Sequence, residues 1–368
     1  MKEYQICKRC VMDNHSDDYI TFDENGYCNY CSTELRRKNN VYFPNKEGEN
    51  KLNEMIKTMK AEGKGKKYDC MMGISGGLDS AYLAYLGSKW GLRILAVHID
   101  DGFDTDIAKK NINSLCESCG IEIMLVQPDE KQFLELTRAY IMAEVPNLAV
   151  PQDNILFANL YKIAKENKIG YFLSGGNFAL ECILQFGNTH SAWDVKNIKN
   201  ISKKFNREKI NKLDFMTLIE KRIKYEKFYK MRQVRPLNYM SYNREEAIAE
   251  LEENCGFTYY GSKHTENDLT KFTQLIWLPE KFNVDKRRSH FSSMIVSEQM
   301  SRDKAIELLK EPIISNDERE ECIDLICKSL DIERGLMDSI LERPGKSHQE
   351  YGVSLVEKMI VNILRKKV

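Results

Sequence analysis

The chain has no apolar run near the roughly 20 residues that a membrane span requires. Its N-terminus, MKEYQICKRC, lacks the apolar core of a secretory signal. A cytoplasmic location with no membrane partner is therefore expected, and disulfides are not. Excess charge is missing too: 55 Lys and Arg balance 55 Asp and Glu over 368 residues. Proteins that grip tRNA carry a basic surplus, so nucleic acid is not an expected partner. The composition, 42% hydrophobic and 30% charged, is that of a globular chain long enough for two or three domains. A Walker-type phosphate loop is also absent. Gly345-Lys346-Ser347 copies its tail, but residue 340 is Ile where the first glycine belongs, and no strand pattern precedes it.

What is present begins with SGGLDS at 75–80. An apolar stretch, 68–74, leads in and another, 81–86, leads out, which reads as strand, glycine turn and helix. Such a turn stacks backbone N–H groups at a helix N-terminus, where the dipole favours an anion. Gly76 and Gly77 let the backbone approach a phosphate closely, and Ser75 and Ser80 add hydroxyl donors. Asp79 is out of place beside a bare anion but fits if magnesium accompanies the phosphates.

The same pattern continues downstream. Strand-like runs at 68–74, 92–99, 121–126 and 170–174 alternate with helical runs at 79–90, 104–119, 131–143 and 155–167. This predicts an α/β fold with a doubly wound parallel sheet and ligands at the carboxyl ends of its strands. The second strand ends in His98-Ile-Asp100. The fourth runs into Ser174-Gly175-Gly-Asn177, a second glycine turn, with Glu181 one helical turn beyond Asn177.

Four of the eleven cysteines form a pattern: Cys7-x2-Cys10, seventeen residues, then Cys28-x2-Cys31. Two CxxC turns suit one tetrahedral zinc, with an iron–sulfur cluster as the rival reading. The expected organisation is a zinc module over 1–35, a charged linker helix over 36–66 ending in a flexible Gly/Lys stretch, an α/β domain over 67–255, and a mainly helical region over 256–368. Within the α/β domain, 187–235 reads as a polar, aromatic and basic insertion lying over the strand ends, where His190, Trp193 and Asp194 are candidates to contact a sugar. Asn243 is a plausible helix N-cap. Lys286, Arg287 and Arg288 suit a diphosphate, and residues 301–310, 317–330 and 354–366 read as packed helices.

SGGLDS resembles the pyrophosphate loop of the PP-loop ATP pyrophosphatases, which have the adenine nucleotide α-hydrolase-like fold. Together with CKRCVMD…TFDENGYCNYC and LPEKFNVDKRRSHFSSMIVSEQMSRDKAIELL, it resembles the N-acetyl sugar amidotransferases of bacterial surface-polysaccharide (lipopolysaccharide) biosynthesis. The resemblance implies ATP, Mg2+ and Zn2+ as cofactors. It implies ATP binding by Ser75, Gly76, Gly77, Asp79, Ser80, His98, Asp100, Gly175 and Asn177, catalysis by Asp79, Ser80 and Glu181, and magnesium on Asp79 and Glu181. The implied reaction converts the N-acetyl group of a nucleotide-linked sugar to an acetamidino group, releasing AMP and pyrophosphate. The chain has no N-terminal catalytic cysteine, so ammonia is expected from a separate glutaminase partner or free in solution; the resemblance implies a glutaminase and cyclase-like pair of subunits. The competing readings are a tRNA-modifying PP-loop enzyme of sulfurtransferase type, which needs cysteines near the loop, and a non-catalytic nucleotide-binding zinc scaffold.

Overall fold

A computed structural model describes residues 3–261, 266–356 and 358–359. The strands are β1 (Cys70–Gly73), β2 (Ile94–Ile99), β3 (Glu122–Val126), β4 (Tyr171–Leu173) and β5 (Arg232–Val234). They form one sheet in the order β3-β2-β1-β4-β5, and every pairing is parallel. The inner strands β1 and β2 are almost wholly buried, whereas β3 and β5 at the edges are largely exposed. That is why the first two read as continuous apolar runs. β5 is absent from the expected strands: three residues with exposed Arg232 and Gln233 give no apolar signal.

The helices up to the fourth strand are α1 (Asn29–Val41), α2 (Lys46–Glu62), α3 (Leu78–Lys89), α4 (Asp106–Cys119), α5 (Glu130–Ala143) and α6 (Val150–Glu166). After it come α7 (Phe178–Glu181), α8 (Val195–Phe205), a π-helix (Glu220–Phe228) and α9 (Arg244–Cys255). The C-terminal part contains α10 (Asp268–Phe272), α11 (Leu278–Phe282), α12 (Lys286–Val296), α13 (Arg302–Leu308), α14 (Asn316–Leu330) and α15 (Arg334–Glu342). Asn243 caps α9, accepting from the N–H groups of Glu245 and Glu246. The helix expected over 354–366 lies largely outside the described residues.

Both faces of the sheet are covered, as a doubly wound sheet requires. Residues of α3, α4 and α9 share one core with the cysteine module. On the opposite face α6 and Tyr225 of the π-helix pack on Met71, Leu95 and Val97. A third core joins α5 and α8 to the C-terminal helices around buried Trp277 and Phe272.

The linker differs from expectation. It is two helices rather than one, and α1 begins inside the cysteine module. The stretch expected to be flexible is fastened by Arg93, whose guanidinium donates to the carbonyls of Gly63 (2.8 Å) and Lys66 (2.5 Å) while pairing with buried Asp69. The composition shows Gly and Lys, but the anchor comes from 27 to 30 residues away.

The cysteine module is fixed to the C-terminal helices. Arg302 donates to the carbonyls of Cys7 (2.9 and 3.2 Å) and Cys10 (3.0 Å). Ser292 accepts from the N–H of Val11, and Arg288 pairs with Asp13 at 3.0 Å.

Candidate active site and metal centre

The turn at 75–77 leaves β1 and enters α3 through Gly77, which supplies no side-chain cap. Gly76 has φ +76°, and a Cβ there would meet the backbone of Ala108 at 2.6–2.8 Å. Only glycine fits against α4 at that point. The second glycine turn stands opposite: a Cβ on Gly175 would lie 3.0 Å from the carbonyl of Asp79. The two turns thus close on each other around the start of α3.

Between them lies a cavity of about 220 Å3. Ser75, Gly77, Asp79, Ser80, Gly175 and Glu181 all line it, so six of the residues expected at the site converge there. Asp79 Oδ1 accepts from buried Asn177 (3.3 Å to Nδ2) and from the hydroxyl of Tyr242. Asn177 in turn caps α7, accepting from Leu180 N at 2.9 Å, which fixes the helix that carries Glu181. Burial, reinforced by the charges of Asp79 and Glu181, holds the Tyr242 hydroxyl well above the ordinary tyrosine range, so it remains a donor. Both carboxylates therefore act on one hydroxyl. A pair of oxygen ligands on facing turns fits magnesium, with the remaining positions left to phosphate and water.

Arg244, Tyr259, Tyr260 and Glu266 also line this cavity, and none of these four belongs to the expected set or to its two glycine turns. Tyr260 accepts from the N–H of Leu78 at 2.9 Å, and Arg244 donates to the hydroxyl of Tyr259. Arg244 puts a cation on a wall otherwise lined by carboxylates. All four come from the chain after β5, which returns over the loop. No local motif announces them.

A second cavity of about 350 Å3 adjoins the first, sharing Ser75, Gly175 and Glu266. It runs along the strand ends between apolar Ile74, Ile99, Leu156 and Phe172 and polar Asp101, Asp104, Gln152 and Asn267. His98 lines it but is already engaged. Its Nδ1 lies 2.9 Å from the carbonyl of Ile74 and its Nε2 3.1 Å from Asp104. Burial works against its charged form, but the Asp104 carboxylate outweighs this and raises the His98 pKa. Asp100 turns away. It accepts from Gly102 N at 3.0 Å and lines a separate hollow with Lys109 and Gln127. Asp101 takes its place in the cleft, held by Asn267 and Phe103 N, with its pKa pushed up to about 6 by burial and then by the Asp104 charge.

The sugar candidates are not brought to these cavities. His190 and Asp194 pair at 3.1 Å in the interior, where His190 stacks on His348 and Asp194 caps α8. Trp193 packs on Phe157. Among the described residues of 187–235, Gln233 on β5 alone lines either cavity. The insertion packs α8 against α5 and the π-helix against α6 instead of lying over the strand ends. Arg287 is spent on Asp285 (2.8 Å) and the carbonyl of Glu311 (2.9 Å), and Arg288 on Asp13 and the carbonyl of Val11. Lys286 opens α12 beside them. The Walker-like tail is structural: Lys346 pairs with Glu144 at 2.9 Å, and Ser347 caps a short helix.

Cys7, Cys10, Cys28 and Cys31 are fully buried, with all four Sγ atoms within 4.8 Å of one another. Backbone N–H groups of Arg9, Cys10, Cys28 and Cys31 point at Cys7 and Cys28 sulfurs at 3.2–3.4 Å. Four thiols held together, with N–H donors to stabilise thiolate charge, fit a tetrahedral metal. Cys116 and Cys119 lie at the far end of α4, where Cys119 approaches Cys255 at 3.9 Å. Among the described residues, no cysteine lines either cavity.

Residues 266–363 match the family model described as LPS biosynthesis protein WbpG-like, C-terminal domain. This agrees with the polysaccharide family that the motifs resemble. No curated protein matches the chain. Similar solved structures include the U34-tRNA thiolase NcsA from Methanococcus maripaludis with its [4Fe-4S] cluster, at 16% identity and TM-score 0.34, covering 84% of this chain and 90% of that one. An NH3-dependent NAD synthetase from Campylobacter jejuni is 15% identical with TM-score 0.30, covering 56% of this chain and 83% of that one.

Proposed function

We propose that this chain is an ATP-dependent amidotransferase that converts the N-acetyl group of a nucleotide-linked sugar to an acetamidino group. The observation that carries the reading is the placing of Asp79 and Glu181, from two facing glycine turns, on one cavity. The family match over 266–363 supplies the polysaccharide context.

An amide carbonyl resists ammonia because its oxygen leaves poorly. In the proposed reaction that oxygen attacks the α-phosphorus of ATP, and pyrophosphate departs. The product is an O-adenylyl imidate. Ammonia then adds at its carbon, and AMP leaves with the original oxygen. Ser75, Gly76, Gly77 and Ser80 receive the pyrophosphate through N–H and hydroxyl donors at the start of α3. Arg244 balances phosphate charge from the opposite wall. The adjoining strand-end cleft accepts the nucleoside, with Asp101 and Asn267 as polar contacts. Asp79 and Glu181 would hold magnesium, which when bound would supply charge neutralisation. The acceleration is mainly positioning and electrostatics, so the mechanism assigns no general base.

Zinc on the four cysteines is structural in this reading, tying the N-terminal module to α12 and α13. Ammonia comes from a separate glutaminase subunit or from solution. A sulfurtransferase reading is less well supported, since among the described residues no cysteine lines the cavities to carry sulfur. The test is incubation with ATP, ammonia and a panel of nucleotide-linked acetamido sugars, followed by mass spectrometry. Replacing O with NH lowers the sugar mass by about one unit. Unchanged masses across the panel, with ATP also untouched, would refute the proposal.

A further inference from the structure

The π-helix that covers α6 carries an apolar ridge on its outer side. Ile219, at its N-cap position, Ile223 and Phe228 are 59%, 61% and 75% exposed. The i→i+5 bonding of a π-helix brings side chains four and five apart onto one side, which places these three in a row. Tyr225, on the inner side, is buried against Tyr161 at a ring distance of 5.1 Å. Exposed Lys224 and Lys227 interleave with the ridge, and exposed Lys230 follows it.

The charge around this ridge departs sharply from the chain as a whole. Residues 219–230 contain five Lys and Arg against two Asp and Glu, in a chain whose totals are equal. Apolar side chains flanked by lysines suit one kind of surface: apolar below and anionic above. Interfaces between proteins are depleted in lysine, and nucleic acid offers no counterpart for an aliphatic ridge. We infer that Ile219, Ile223 and Phe228, with Lys224, Lys227 and Lys230, form a peripheral docking surface for an anionic lipid bilayer.

The absence of a spanning segment bears on insertion, not on such contact, so the expectation of no membrane partner is revised here to one of surface binding. The inference does not depend on the proposed reaction, because none of these residues lines the cavities. Docking would leave the catalytic cavities in their own part of the fold and hold the chain where surface polysaccharide is built.

The test is sedimentation of the full chain with vesicles of phosphatidylcholine alone or mixed with phosphatidylglycerol. Binding is expected only to the anionic vesicles, and it should weaken with added salt. Phe228→Ser should reduce partitioning about tenfold, and the triple change of Lys224, Lys227 and Lys230 to Glu should abolish it. Both variants should keep the parent melting temperature and ATP turnover, which separates loss of docking from loss of fold. No binding to anionic vesicles, or binding unchanged in both variants, overturns the inference. So does protection of Phe228 by a protein partner when the purified chain ignores vesicles.

Discussion

Tyr242→Phe removes a single oxygen from the site. The ring is 1% exposed and stacks on Tyr82 at 5.6 Å, so Phe fills the same space. What is lost is the hydroxyl donor to Asp79. A hydrogen bond to a charged group contributes about 1.5–3 kcal/mol. Asn177 still donates to the same oxygen, and Asp79 lines a cavity where water can replace the donor. The net loss of stability should therefore be about 1–2 kcal/mol. A catalytic effect of similar size should accompany it, because a carboxylate freed to rotate no longer holds charge where the phosphates need it. A drop in kcat of about ten- to thirtyfold, with little change in KM for the sugar, corresponds to about 1.4–2 kcal/mol of transition-state stabilisation. Pyrophosphate release measures the rate and denaturant unfolding the stability. Tyr82→Phe is the control, since its hydroxyl meets Glu250 at 3.4 Å, outside the cavity. If Tyr242→Phe loses stability but keeps the parent kcat, the hydroxyl serves packing and does not position Asp79.

Other substitutions test separate parts. Gly76→Ala adds a left-handed backbone cost of about 1–2 kcal/mol to a clash with Ala108, and should lower the melting temperature and abolish pyrophosphate release together; parent behaviour in both would show that the loop tolerates a side chain. Cys28→Ser should lose bound zinc and stability, and full zinc at full stability would disprove the structural metal site. Asp101 is buried and its pKa is raised to about 6, from 3.8. The folded state therefore binds its proton more tightly than the unfolded chain, and the stability this contributes is present below about pH 4 and lost as pH rises through about 6. Two pKa units correspond to about 3 kcal/mol. Asp101→Asn should flatten the fall in stability between these pH values; an unchanged slope would place that titration elsewhere.

Much of the fold was legible because its signals are local. The inner strands are buried on both faces and read as apolar runs, and SGGLDS carries its own strand and helix on either side. The paired CxxC turns needed no context. Glu181 was reached by spacing from Asn177, and the structure puts it on the same cavity as Asp79. Legibility failed where position depends on distant chain. Tyr242, Arg244, Tyr260 and Glu266 reach the loop only because the chain returns over it after β5, so neither spacing nor composition marks them. The strand-end motif points to Asp100, but it gives the neighbourhood and not which side chain turns inward once β2 has ended at Ile99; in the structure that is Asp101. The composition of the basic and aromatic insertion suggests a surface open to substrate, yet its distinctive residues are used internally: Asp194 to cap α8, His190 to stack on His348, Trp193 to pack on Phe157. Arg287 and Arg288 resemble phosphate ligands in sequence; in the structure they pair with Asp285 and Asp13, away from the loop of 75–80.

The central claim is that the acetamido oxygen is activated by AMP at the loop of 75–80. Labelling that oxygen with 18O and following it through one turnover with ATP and ammonia tests this directly. The label should appear in the phosphate of AMP, with unlabelled pyrophosphate released in equal amount. Label retained on the sugar, or found in inorganic phosphate beside ADP, would contradict the account.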